Sequence, residues 1–412
     1  MKIKRFTPKN CFFLVASISL LVYLANIIWS EGRFLDRIIY AAGTDTYSDF
    51  YMHIYRFYGY ENVYAVSSGS CFPPLSYIFY GILSRILKHT GITSWKMVAN
   101  GYAILVPTML LVIWAVLFSS FVKKLYRNGN EGESIGLSIL LICSVPFFAT
   151  AIEKSNSVLY ALLLLMMALY FKDCDSKTLR EIALICIATA AGLKIYPAII
   201  GVIYIKEKRY KEVVRLIIYG ILFFFTPFIF FDGFEGMRLF LQNISEVNGR
   251  QLSSIETIVG LVTKVWTSLG GGVTSGYHVG KILSYIYFLY VLVCFFIEKY
   301  SWKSMTLIVS LMIVFTVSSY RYTLIYFSIP LIMFLVEMKT KNGYSWSDYL
   351  YALLFALIFW MYPIRGWLIP ESDSMTIWYY PAYLLLFALC CEFAQKLFIH
   401  MKKGIKAVEK KA

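Results

Sequence analysis

Charge is what this sequence has least of. Only 15% of its 412 residues are Asp, Glu, Lys or Arg, against about a quarter in an ordinary soluble domain. A soluble enzyme and a disordered chain are excluded on that ground. Histidine is equally scarce, with 4 copies, and neither a C-x-x-C nor an H-E-x-x-H spacing occurs. That excludes a zinc framework and a metalloprotease helix. There is no P-loop and no G-x-G-x-x-G, so a cytosolic nucleotide site is not expected. Eight cysteines show no paired spacing. Cys11, Cys143, Cys186, Cys294, Cys390 and Cys391 fall in or beside apolar runs and read as small apolar filler.

What is present is apolar and aromatic. Hydrophobic residues make up 59% of the chain, mean hydropathy is +0.65, and there are 33 tyrosines. This composition belongs to a membrane protein, with tyrosine suited to interfacial belts and polar cavities. The net charge of +15 is then a matter of orientation across the bilayer, and no nucleic-acid partner is implied.

A spanning helix needs about 20 apolar residues. Windows of that kind occur at 10–30, 101–122, 134–151, 157–171, 213–231, 282–297, 305–319, 322–336, 350–362 and 377–394. The first is preceded by MKIKR but runs too long for a signal peptide and lacks a clear cleavage site, so it reads as an uncleaved span. Segment 181–205 is apolar yet broken by Gly192, Lys194 and Pro197, and is followed by the basic run KEKRYKEVVR. Basic loops stay cytoplasmic. A single crossing at 181–205 would move this loop and every later basic loop outside, so a re-entrant hairpin is expected. The fold class is therefore an all-α polytopic bundle of about ten full spans plus one hairpin, both termini cytoplasmic. Two long segments, 31–100 and 232–281, lie outside and carry apolar stretches at 74–87 and 255–269 that read as interfacial helices. Loops of that length are usually functional.

The sharpest polar cluster follows the first span: Gly43-Thr-Asp45-Thr-Tyr-Ser-Asp49-Phe-Tyr-Met-His53-Ile-Tyr-Arg56. Asp45, Asp49 and His53 are spaced by four and would share a helix face. A carboxylate there suits a general base acting on an alcohol; the structural alternative is a helix-capping acid, and a metal site from these residues is an unspecific third reading. Lys194 is the most informative single residue. An intramembrane lysine is costly and faces a cavity or a partner, so it points either to an anion such as a lipid phosphate or to a pair with Glu153, Asp232 or a backbone carbonyl. Arg321, at an outer helix end, suits bidentate phosphate binding or interfacial anchoring, and Arg365 is a weaker case of the same kind.

Three motifs in series then carry a resemblance: Ser48-Asp49-Phe with Tyr55, Gly59-Tyr-x-Asn-Val-Tyr64, and Phe72-Pro-Pro-Leu75, joined later by Gly192-Leu-Lys194-Ile-Tyr196-Pro197. In order and topology they resemble GT-C-type glycosyltransferases, most closely the polyprenyl-phosphate-mannose-dependent mannosyltransferases. The Asp49–Tyr55 spacing is longer than that group's, and Phe72 stands in place of its usual Tyr. The resemblance covers 1–240, which it implies to be the catalytic module, with the second outer loop and a C-terminal helical bundle in 241–412.

The resemblance implies Asp49 as catalytic base, with Asp45 as rival or supporting acid. It implies substrate contacts from Lys194, Tyr196, Arg321, Tyr322, His53, Arg56 and Tyr64. It further implies a polyprenyl-phosphate-linked sugar as donor (mannose by default), a lipid or glycan hydroxyl as acceptor, inversion at the anomeric carbon, and no metal or other cofactor. The site would face the periplasm of a bacterial inner membrane. An O-antigen-type polymerase or ligase, or a lipid-linked substrate transporter, are the alternative functions.

Overall fold

No strand occurs among the described residues, which in this computed structural model are 6–38, 46–60, 62–92, 100–127, 130–250, 257–299, 301–315, 319–361 and 380–409. The helices run α1 Pro8–Trp29, α2 Arg33–Ile38, α3 Ser48–Tyr58, α4 Pro74–Leu87, α5 Gly101–Leu125, α6 Glu131–Ile142, α7 Val158–Phe171, α8 Lys177–Leu193, α9 Val202–Lys206 and α10 Tyr210–Phe224. They continue with α11 Gly233–Arg250, α12 Ile258–Ser268, α13 Val273–Ile297, α14 Trp302–Val314, α15 Ser328–Thr340, α16 Trp346–Trp360 and α17 Tyr380–Glu409. Six helical stretches among the described residues are long and apolar enough to cross a membrane: Pro8–Trp29, Gly101–Leu125, Tyr210–Phe230, Val273–Ile297, Arg321–Thr340 and Tyr380–Phe398. The chain is a multi-pass membrane protein. Its outward apolar side chains, such as Ile217, Ile218, Ile221 and Leu222 on α10, are about half exposed along the helix, as a lipid-facing surface requires.

Polar caps set where the helices begin. Thr7 accepts from the Asn10 N–H at the start of α1, and Asn130 accepts from the Glu133 N–H at the start of α6. Ser345 and Asp348 form a reciprocal capping box on α16. Lipid gives little drive for helix association, so packing and polar contacts must hold the bundle. At one end Glu133 pairs with Lys9 at 2.8 Å and Lys339 at 3.0 Å, tying α6 to the first and fifteenth helices. Deeper in, the Trp114 indole donates to the Leu159 carbonyl at 2.9 Å, locking α5 to α7.

Several boundaries differ from the sequence expectation, each for a physical reason. The window at 282–297 is the C-terminal part of α13, which starts nine residues earlier at Val273. His278 and Lys281 therefore sit on a helix, and the non-spanning segment before it is shorter than expected. The preceding glycines form a tight corner: a Cβ at Gly271 would lie 2.1 Å from the Trp266 indole nitrogen. The window at 322–336 opens as a 3-10 turn, Arg321–Phe327, before α15 begins. Segment 74–87 is helical as expected; one face, with Ser76, Tyr77, Tyr80, Leu83 and Leu87, is buried against protein, while Ile82 and Ile86 on the other are exposed. Around the broken segment, Lys172 pairs with Glu207 at 2.6 Å and Arg209 with Asp173 at 3.0 Å, joining the loop before α8 to the loop after α9.

Candidate active site

The first-turn N–H groups of a helix need acceptors. In α3 they find them in another part of the chain. Tyr47, the residue before α3, has a left-handed φ of 59° and no side-chain cap, and its N–H donates to the Glu153 carbonyl at 2.7 Å. The Phe50 N–H reaches the Lys154 carbonyl at 3.4 Å. The acceptor turn follows a π-helical turn, Phe147–Ile152, and contains a second left-handed non-glycine residue, Ser155, with φ 47°. Such outliers concentrate at functional sites. Here they bring two polar sets together. The Asn156 side-chain amide donates to an Asp49 carboxylate oxygen, and Lys154 Nζ donates to Ser48 Oγ at 3.0 Å.

Asp49, His53 and Arg56 follow each other along one face of α3, at i, i+4 and i+7. Asp49 is half-buried. Burial raises its proton affinity above the usual carboxylate range, opposed by the Asn156 hydrogen bond and the charges of Lys194 and Arg56. His53 is fully enclosed. Burial, with the charges of Arg56 and Lys194, holds its pKa well below the usual value, so the ring is neutral. Its Nδ1 lies 3.1 Å from the Tyr77 hydroxyl, and its ring centroid lies 3.9 Å from that of Phe72.

Phe72 carries the connection onward. Lys194 Nζ sits 3.4 Å from the Phe72 ring centroid and 5.6 Å from that of Tyr322. Among the described residues the ammonium makes no ion pair or hydrogen bond, and the residue is 5% exposed. It caps the end of α8 in an extended conformation, two residues before a 3-10 turn, Tyr196–Gly201, that carries Pro197 as its second residue. Ser76 Oγ donates to the Leu193 carbonyl at 2.7 Å and pins this end to α4. Gly192 allows the approach, since a Cβ there would lie 2.7 Å from Leu75 Cδ2 and 3.0 Å from the Phe223 carbonyl oxygen.

Lys194 faces a cavity of about 620 Å³. Its walls are largely apolar, including Phe72, Ile195, Ile199, Leu311, Met312 and Phe315, with Tyr196, Tyr322, Ser319 and Thr323 as the polar rim. Apolar volume with a few converging polar groups is the usual form of a ligand pocket. Arg321 adjoins this rim, and its charge acts on Glu153 and Lys154.

The structure thus brings Asp49, His53, Arg56, Lys194, Tyr196, Arg321 and Tyr322 into one region. Tyr64 stands apart from the cavity. It is buried among Tyr77, Phe228, Phe231 and Phe240, and its hydroxyl donates to the Phe72 carbonyl at 2.9 Å. Tyr64 supports the loop that presents Phe72. Asp45 and Arg365 lie outside the described residues. Lys194 pairs with neither expected acid: Asp232 accepts from Asn62, and Glu153 faces Asp49 and Arg321. Sequence reasoning missed Asn156 and Glu153 as site residues. The available signal was a polar run, Glu153-Lys-Ser-Asn156, between two apolar stretches. No group of three or more His, Cys, Asp or Glu side chains among the described residues is placed to hold a metal.

Residues 71–319, more than half of the chain, match the family model for Glycosyltransferase family 87. The chain belongs to glycosyltransferase family 87. It is a membrane glycosyltransferase. The family 87 match takes in Glu153, Asn156, Lys194 and Tyr196; Arg321 lies two residues past its end, and Asp49 lies 22 residues before its start. No curated protein and no solved structure matches the chain.

Proposed function

We propose that this family 87 member transfers a hexose, mannose by resemblance, from a polyprenyl-phosphate donor to a hydroxyl of a lipid or glycan acceptor, with inversion. The observation that carries the reading is the joining of a carboxylate to a cation at an apolar cavity: Asp49, held by Asn156, lies within electrostatic reach of Lys194, whose ammonium faces the cavity beside the Phe72 ring. A polyprenyl chain needs apolar walls and its phosphate needs a cation, and the cavity supplies both. A buried ammonium without an anionic partner is costly and is retained where a ligand provides the charge.

In this reading Asp49 takes the proton from the acceptor hydroxyl. The oxygen attacks C1 of the sugar as the C1–O bond to phosphate breaks, and polyprenyl phosphate leaves. Lys194 and Arg321 stabilise the negative charge that gathers on the phosphate. A phosphate leaves without strong acid assistance, so one base suffices, unlike the opposed pair of hydrolytic glycosidases. Asp45 is the rival base. No cofactor is needed for these steps.

We further place ten full spans and a re-entrant segment at 181–205, with both termini cytoplasmic and the site at the periplasmic face of a bacterial inner membrane. The ion pairs joining the loops on either side of that segment support the re-entry, and the basic loops support the orientation. The test of the reaction is transfer by Asp49→Asn protein, expressed and folded to the same level as wild type, from a panel of polyprenyl-phosphate hexoses. Loss of transfer by about 10³-fold or more is expected for removal of a general base in such a site. Near-normal transfer would assign the base elsewhere, with Asp45 next in line.

A further inference from the structure

We propose that Glu153 is a sugar-binding residue of the transfer site, holding a hydroxyl of the hexose beside the carbon that Asp49 serves. The inference rests on the hexosyl-transfer reading above.

Glu153 is only 8% exposed, and neither carboxyl oxygen has a hydrogen-bond partner among the described residues. Lys154 lies 3.9 Å from Oε2 and donates a hydrogen bond to Ser48. A buried carboxyl left without donors is strongly unfavourable. Two other enclosed acids among the described residues are satisfied. Asp348 accepts from Lys341 at 2.7 and 2.8 Å and from Ser345, and Glu392 accepts from Lys303 and Tyr351. Glu153 is the exception, and it stands at the site. Its own carbonyl receives the Tyr47 N–H, and three residues later Asn156 holds Asp49.

The groups facing Glu153 divide the labour between the two acids. Burial raises the Asp49 carboxyl above the usual range, opposed by the Asn156 amide and the charges of Lys194 and Arg56. Glu153 has Arg321 in its favour, against burial and the neighbouring Asp49 charge, and its pKa is pushed up to about 8. With its pKa near 8, Glu153 keeps its proton at neutral pH. A neutral carboxyl both donates and accepts, which suits the hydroxyls of a sugar ring.

The experiment compares wild type, Glu153→Gln and Glu153→Ala in lipid vesicles, each with the polyprenyl-phosphate hexose that wild type uses best and with its monodeoxy analogues. In wild type one deoxy donor is expected to lose about 10- to 100-fold in kcat/KM, the range for one hydrogen bond to a polar buried group. In Glu153→Ala that same deoxy penalty should shrink to less than about 3-fold, because the partner of the missing hydroxyl is already gone. Glu153→Gln, which keeps one donor and one acceptor, should recover part of the parent activity and guards against a folding defect in the alanine variant. Equal deoxy penalties in all three proteins, with wild type active, overturn the role of Glu153 alone. Absence of transfer from every hexose in the panel overturns the hexosyl-transfer reading, and this proposal with it.

Discussion

Removing the charge of Lys194 is the perturbation that most directly separates donor binding from chemistry. The ammonium lies against the Phe72 ring at the wall of the apolar cavity and makes no ion pair or hydrogen bond among the described residues. A phosphate oxygen about 4 Å away would gain about 4 kcal/mol at an effective dielectric of 20. Desolvation of both partners offsets part of this, leaving about 1.5–3 kcal/mol for a hydrogen bond to a charged group, or about 10- to 150-fold in affinity. Lys194→Met keeps the length and apolar stem but not the charge. It should weaken inhibition by polyprenyl phosphate by that factor and raise the donor KM similarly. Lys194→Arg should restore little, since the planar guanidinium is wider than the ammonium seated on Phe72. The assay is competitive inhibition by polyprenyl phosphate, followed beside transfer kinetics. An unchanged inhibition constant with a lowered kcat would refute the phosphate role and leave Lys194 as a charge that serves Asp49.

Asn156→Ala removes the side-chain donor to Asp49 and should lower kcat about 10- to 100-fold with little change in donor KM, read from steady-state transfer. The pH–rate profile should be bell-shaped: the rate falls on acidification as Asp49 protonates above the usual carboxylate range, and falls again above about pH 8 as Glu153 ionises beside it. A flat profile between pH 5 and 9, with chemistry rate-limiting, would contradict both assignments. Phe72→Leu withdraws the ring beneath Lys194 and should raise donor KM by a few-fold, in line with about 0.5–2 kcal/mol for a cation over an aromatic face. At the other end of the bundle, burial pushes the Glu133 carboxyl up, but Lys9 and Lys339 outweigh it and hold the group at about 2 against an ordinary 4.5. A depressed carboxylate pKa stabilises the fold above its unfolded value and loses that contribution as pH falls toward 2. Glu133→Gln should therefore lower thermal stability in detergent by about 1 kcal/mol at pH 7, with the difference vanishing in acid.

Apolar length and polar caps were legible because they act locally. Pro8, Asn100, Asn130 and Ser345 mark helix starts within a few residues of their sequence windows. Lys194 was legible because a charge in an apolar run needs a reason. Asn156 was not, because its meaning depends on a partner 107 residues away. Tyr64 misled for the opposite cause: its place in a motif series suggested substrate, while its ring is walled in by four aromatics from other segments. The tight corner before α13 was not legible, because the need for glycine at 271 comes from the Trp266 ring folded against it.

The backbone irregularities converge on the same place, and that has a physical cause. Around the cavity the chain departs from α-helix at the left-handed Tyr47 and Ser155, at the π-helical turn Phe147–Ile152, and at the 3-10 turns Tyr196–Gly201 and Arg321–Phe327. Each departure frees backbone groups, which lipid cannot satisfy; they are tolerated only where protein walls or a polar cavity take them up. The site uses them: the Glu153 and Lys154 carbonyls receive the α3 N–H groups, and the Leu193 carbonyl receives Ser76. A regular bundle would have needed none of these contacts, and could not have held Asp49, Glu153 and Lys194 together at one end of its helices. On the proposed site assignment the breaks in helicity aim the chemistry, so a substitution that regularised one of them, such as Pro197→Ala, should cost activity before it costs helix content.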